Sequence, residues 1–132
     1  MAFKFACICP LVPVLLAGCV REAEVVVTKR GDRVLFTVAR GDEPACVRSI
    51  YVSLNSERPI DTPPLWETSA ADLNTCASAF VYGQAPPGFS RSGPARSLSV
   101  GEQYLVEFSG SGLLGGTTFT LPAQAGVIAT PS

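Results

Sequence analysis

The stretch Ala23-Glu24-Val25-Val26-Val27-Thr28-Lys29-Arg30-Gly31-Asp32-Arg33-Val34-Leu35-Phe36-Thr37-Val38-Ala39 decides the fold. Two runs rich in β-branched residues flank a Gly-Asp pair, and this is hairpin chemistry rather than helix chemistry. Val34, Phe36 and Val38 alternate with Leu35 and Thr37, which predicts that the first set faces a core. The same period of two recurs downstream. Val47 to Leu54 points Ile50, Val52 and Leu54 one way, with Cys46 at its start. Glu102 to Ser109 points Tyr104, Val106 and Phe108 one way, and Thr117 to Leu121 does so with Phe119 and Leu121. Cys76 to Gly83 places Phe80 and Tyr82 on one face. About seven strands in about a hundred residues, with little helical period, predict an all-β chain built as a single antiparallel β-sandwich.

The segments between these runs read as loops. Asn55 to Thr75 carries Pro59, Pro63 and Pro64, with Leu65-Trp66-Glu67 its only apolar island, and is expected to hold a short edge strand. Ser69-Ala70-Ala71-Asp72 has the spacing of a capping box, which would start one helical turn. Pro86-Pro87-Gly88 reads as a stiff turn. Gly110 to Gly116 reads as a flexible hairpin loop, and 123–132 as a loose tail in which Val127-Ile128 can pair at an edge. Leu98-x-x-Gly101-x-x-Tyr104 resembles the entry to a late strand of immunoglobulin and fibronectin-like sandwiches, which implies a tyrosine hydroxyl bonded back to upstream backbone.

Phe5 to Leu16 is too short to span a bilayer as a helix, and Pro10 and Pro13 would break one. It reads as a signal peptide. Leu16-Ala17-Gly18-Cys19 resembles the lipobox of bacterial lipoproteins, which implies cleavage after Gly18 and lipid attachment at Cys19 as membrane anchor. The competing reading is a secretory peptide cut elsewhere. The chain then divides into a signal peptide (1–18), a lipid-anchored linker (19–22), a β-sandwich domain (23–122) and a tail (123–132). Cys7 and Cys9 leave with the signal peptide. Cys46 and Cys76 remain, and in an exported domain they suggest one disulfide, with two separate buried thiols as the alternative.

The net charge is −1, and one unit more negative once Lys4 is removed, so no basic field recruits nucleic acid. The chain has no histidine, which removes the commonest general base and the commonest metal ligand. Two thiolates without histidine do not complete a zinc site. Asp61, Glu67 and Asp72 read as solvated surface, and the glycine runs Gly110-Ser111-Gly112 and Gly115-Gly116 lack the helix that would receive a phosphate. No enzyme and no cofactor is expected. Arg30-Gly31-Asp32 and Arg40-Gly41-Asp42 each spell an adhesive tripeptide, but turn chemistry accounts for both.

Protein binding is therefore the expected mode of action. Core packing is the default reading of the Trp66, Tyr82, Phe89 and Tyr104 rings; as contact residues the candidates are Trp66, Pro87, Phe89 and Arg91, because aromatic rings beside guanidinium groups suit a binding hot spot. Tyr82-Gly83-Gln84-Ala85-Pro86-Pro87-Gly88-Phe89, with the Trp66 segment before it and the Leu98 to Tyr104 segment after it, resembles small bacterial envelope lipoproteins. Some of these are described as periplasmic immunity lipoproteins of type VI secretion systems. The resemblance covers about Val47 to Leu121 and implies a protein partner, either a toxin or an envelope component. The alternative function is an assembly accessory that adds a partner's strand to an open sheet edge. A ligand-binding sandwich with exposed aromatics on a concave face comes third. Val20 follows the lipobox cysteine where enterobacterial inner-membrane retention would call for aspartate, so an outer-membrane anchor facing the periplasm is expected.

Overall fold

A computed structural model describes residues 21–55, 63–91 and 93–129. Residues 1–18, expected as a signal peptide, Cys19 and Asp61 lie outside them. Eleven strands run through the described residues: β1 (Arg21–Glu22), β2 (Glu24–Arg30), β3 (Arg33–Arg40), β4 (Glu43–Pro44), β5 (Val47–Leu54), β6 (Trp66–Ala70), β7 (Ala79–Val81), β8 (Phe89–Arg91), β9 (Gln103–Gly110), β10 (Leu113–Thr120) and β11 (Gly126–Ala129). Six have five residues or more, and the rest are short additions to sheet edges. The described residues contain no helix.

Two sheets form and pack face to face. The first has the order β1-β10-β9-β5-β6-β8, antiparallel except for the parallel β1–β10 pair. The second has the order β11-β2-β3, and β4 and β7 share the far side of β3, one against Ala39–Arg40 and the other against Leu35–Thr37. The expected alternation supplies both inner faces. Val25, Val27, Val34, Phe36 and Val38 line one, and Ile50, Val52, Tyr104, Val106, Phe108 and Phe119 line the other, all buried. Leu54 breaks this pattern: it is 38% exposed at the end of β5, and Ser53 is buried.

Gly31 opens the β2–β3 turn with φ +61, and Asp32 keeps a negative φ, which is the type II′ arrangement that matches strand twist. Gly41 repeats it between β3 and β4. Both Arg-Gly-Asp tripeptides are thus built into two-residue hairpins.

Pairing register defines two ends of the sandwich. Arg21 pairs with Leu113, Leu113 with Gly110, Gly110 with Val47, and Val47 bridges Ala77. This near end also holds the Gly41 turn. The far end holds the Gly31 turn and the segment before β9. At the near end the chain crosses between sheets twice, at Cys46 and again after Cys76, and a disulfide joins the two crossings with Cα atoms 5.1 Å apart. Val47 and Ala77 exchange backbone hydrogen bonds of 2.9 and 3.0 Å beside it.

Several expectations are corrected. Gly110 to Gly116 is not a loop: only Ser111–Gly112 turn, and Gly115 and Gly116 belong to β10, paired with Phe108 and Glu107. Close packing explains both glycines. A Cβ on Gly115 would lie 2.7 Å from Ala23 O and from the Phe108 ring, and one on Gly116 would lie 2.6 Å from Val106 O. Ser69-Ala70 starts no helical turn, because both residues pair within β6. That strand is not at an edge, since it lies between β5 and β8. The edge pairing expected within the tail does form: β11 pairs with β2.

Tyr104 fixes the corner as its resemblance implied, with the Ser99 N–H donating to its hydroxyl at 2.7 Å. Removing that acceptor in Tyr104→Phe leaves a donor unpaired and should cost about 1–3 kcal/mol in urea unfolding. Gly115→Ala should cost about 1–3 kcal/mol by overpacking. Gly31→Ala meets no atom within 4 Å, so its cost should stay near the ~1–2 kcal/mol of a left-handed backbone alone.

Candidate functional site

Tyr82 follows β7 and reaches back across the open far end of the sandwich. Its ring lies 5.1 Å from the Trp66 ring, and its hydroxyl donates to Arg96 O at 2.6 Å. This contact ties the 94–99 segment over the core. Burial, with a smaller contribution from nearby Tyr104, pushes the Tyr82 phenol up to about 12, so it stays a neutral donor across the physiological range.

Beside this tie lies a cleft of about 270 Å³ lined by Lys29, Asp32, Val34, Tyr82, Ser97, Leu98 and Leu121. Val34, Leu98, Leu121 and the Tyr82 ring form an apolar wall, while Lys29 and Asp32 supply opposite charges. Lys29 Nζ donates to Ala123 O at 3.3 Å, which orients its ammonium group. A cleft of this kind can seat an apolar side chain and pair its polar neighbours. Among the described residues no group of three or more His, Cys, Asp or Glu could hold a metal ion. The sequence did not point to this cleft, because its walls come from four separate segments.

The sequence-derived candidates divide. Trp66 is corrected from a surface contact to a core group: it is 3% exposed and stacks against Phe36 at 6.1 Å. Phe89 is half-buried against Phe80, with ring centroids 5.5 Å apart, so most of its apolar area is already used. Arg91 pairs with Thr68 in β8, and Pro87 is exposed. Pro87 and Phe89 sit at the near end, because Phe89 pairs with Ala70, where β6 finishes.

The Pro86–Gly88 turn packs on a second turn, built on Ala71 and Asp72. The Ala71 N–H donates to Gly88 O at 2.9 Å, and Arg48 Nη2 donates to Asp72 O at 2.9 Å. Asp72 Oδ1 accepts from the Asn74 N–H at 2.9 Å and from Thr75 Oγ1 at 2.8 Å. These bonds, the Thr75 hydroxyl first, hold the Asp72 carboxyl below its ordinary range. The turn presents Leu73 at 83% exposure, the highest among the large apolar side chains of the described residues. Cys46 and Cys76, both exposed, lie at this same end as a structural clamp.

The division of the candidate set is measurable as stability. Trp66→Ala should cost about 3–5 kcal/mol, as for other large core aromatics, whereas Pro87→Ala should stay within ~0.5 kcal/mol, both read from denaturant midpoints. Compared with protein-family models, curated proteins and solved structures, the chain shows no match to any of them.

Proposed function

We propose that this chain is a lipid-anchored envelope protein that works by binding another protein, of the immunity type that occludes a secreted toxin in the periplasm. The supporting observation is topological. Cys19 stands two residues before Arg21, where β1 joins the near end of the sandwich, and the Tyr82 cleft and the Gly31 hairpin lie at the opposite end. An acyl anchor at Cys19 would therefore leave the cleft directed away from the bilayer, toward an arriving partner. Val20 favours the outer membrane. The exposed disulfide fits an oxidising compartment. The absence of histidine from the chain argues for occlusion over catalysis.

The second reading, an assembly accessory, draws on one feature of β10. It pairs on its outer side with β1 at Leu113 and Leu114 only, so among the described residues Gly115 to Thr120 has no strand partner there and carries no charge. An edge of that kind accepts an added strand.

One experiment separates the two. The lipidated protein is used to capture a partner from envelope extracts, and the captured protein is then directed to the periplasm with and without this chain. Immunity predicts growth arrest relieved by co-expression, and at least a tenfold loss of affinity for Asp32→Arg or Leu98→Asp. An innocuous apparatus component whose binding survives both changes but is lost with Thr118→Pro would establish the accessory reading instead.

A further inference from the structure

Resting on the lipid anchor proposed above, the length of chain between that anchor and the first strand limits where the body can stand. An extended residue spans at most about 3.5 Å, so the two steps from Cys19 to Arg21 reach about 7 Å. Arg21 is already hydrogen-bonded into the edge of the first sheet, opposite Leu113. Acyl chains on Cys19 would therefore hold the near end against the headgroups, because Arg21 and Glu22 of the expected linker pair in β1 and only Val20 remains between anchor and strand.

The near end carries an apolar feature suited to that position. Leu73 projects from its turn at 83% exposure and Leu114 follows at 54%. Val100 at 61% and Leu54 at 38% lie toward the far end, away from the anchor. The Leu73 turn is braced by the Asp72 carboxylate, by Arg48 and by the Ala71–Gly88 backbone bond, so the exposure is fixed by the fold. Leu73 follows β6 and the anchor precedes β1, four strand spacings apart in the order of the first sheet, or about 19 Å. Two such widely separated contacts on one end would fix its tilt as well as its height.

We propose that the near end of the sandwich rests on the bilayer, with Leu73 seated in the lipid interface as a second contact beside the acylated Cys19. The contact is apolar and not electrostatic. Asp42, Glu43 and Asp72 are exposed at this end and offset the partly buried Arg40 and Arg48, so no net positive charge draws it to anionic headgroups.

The test uses the full-length, lipidated protein in phosphatidylcholine vesicles with brominated acyl chains. Leu73→Trp and Arg33→Trp variants are compared, with Trp66 as a shared buried background. The expected result is at least twofold quenching and a blue shift for the residue-73 indole, none for the residue-33 indole at the far end, and no strengthening with phosphatidylglycerol. Acylated protein in which the residue-73 indole is quenched no more than the residue-33 indole overturns this inference and leaves the anchor intact. Mass spectrometry showing Cys19 without lipid overturns both.

Discussion

Phe36 is the side chain on which the two sheets meet. It projects from β3, the central strand of the second sheet, and is fully buried. Its ring stacks on Trp66 of β6 at 6.1 Å and meets Phe119 of β10 edge-on at 5.7 Å. One residue therefore bridges to strands on both sides of β5 and β9 in the opposite sheet. Phe119 continues the contact to Tyr104 at 5.6 Å, and Trp66 continues it to Tyr82 at 5.1 Å. Aromatic pairs in offset or edge-on geometry contribute about 0.5–1.5 kcal/mol each beyond area burial. The line of rings also ends in two hydroxyls, on Tyr104 and Tyr82, that pin the irregular segment between β8 and β9. Core packing and closure of the far end are thus one network, and the cleft beside Tyr82 takes its shape from it.

The sequence disclosed whatever depends on a period of two. Val34, Phe36 and Val38, or Tyr104, Val106 and Phe108, each have a clean inner face, so strand and orientation follow from the alternation alone. It concealed whatever depends on contact between distant strands. Gly115 and Gly116 look like loop residues by composition, yet they are strand residues because Ala23 O, the Phe108 ring and Val106 O occupy the space of a side chain. Trp66 sits in a proline-rich stretch where a core ring and a binding ring read alike, and the approach of Phe36 from the other sheet makes it core. β8 is three residues long and owes its existence to the free edge of β6 rather than to any local pattern.

The candidate sites follow the same division. The Cys46–Cys76 pair follows from counting once 1–18 is read as a signal peptide and Cys19 as a lipid site, because that reading leaves only those two thiols. Leu73 was not. A single leucine among polar turn residues has no periodic signature, and its prominence arises from the Asp72 cap and from the Pro86–Gly88 turn that fixes its base. The far-end cleft was equally hidden, since Lys29, Tyr82, Leu98 and Leu121 meet only after the second sheet closes over the first.

The disulfide stands where the fold most needs a constraint on its unfolded chain. The chain passes from the second sheet to the first at Cys46 and returns after Cys76, so those residues open and close a loop of 30 residues containing β5 and β6. Strands brought together across such a loop must repay its closure entropy before any side-chain contact forms. A cross-link over this span removes about 3.5 kcal/mol of that entropy in the chain-entropy model. Because the clamp lies at the near end and the aromatic ties at the far end, the two ends of the sandwich are closed by different means. One is covalent and exposed to solvent. The other is built from aromatic rings and their hydroxyls, and it leaves beside it the cleft lined by Tyr82, Leu98 and Leu121.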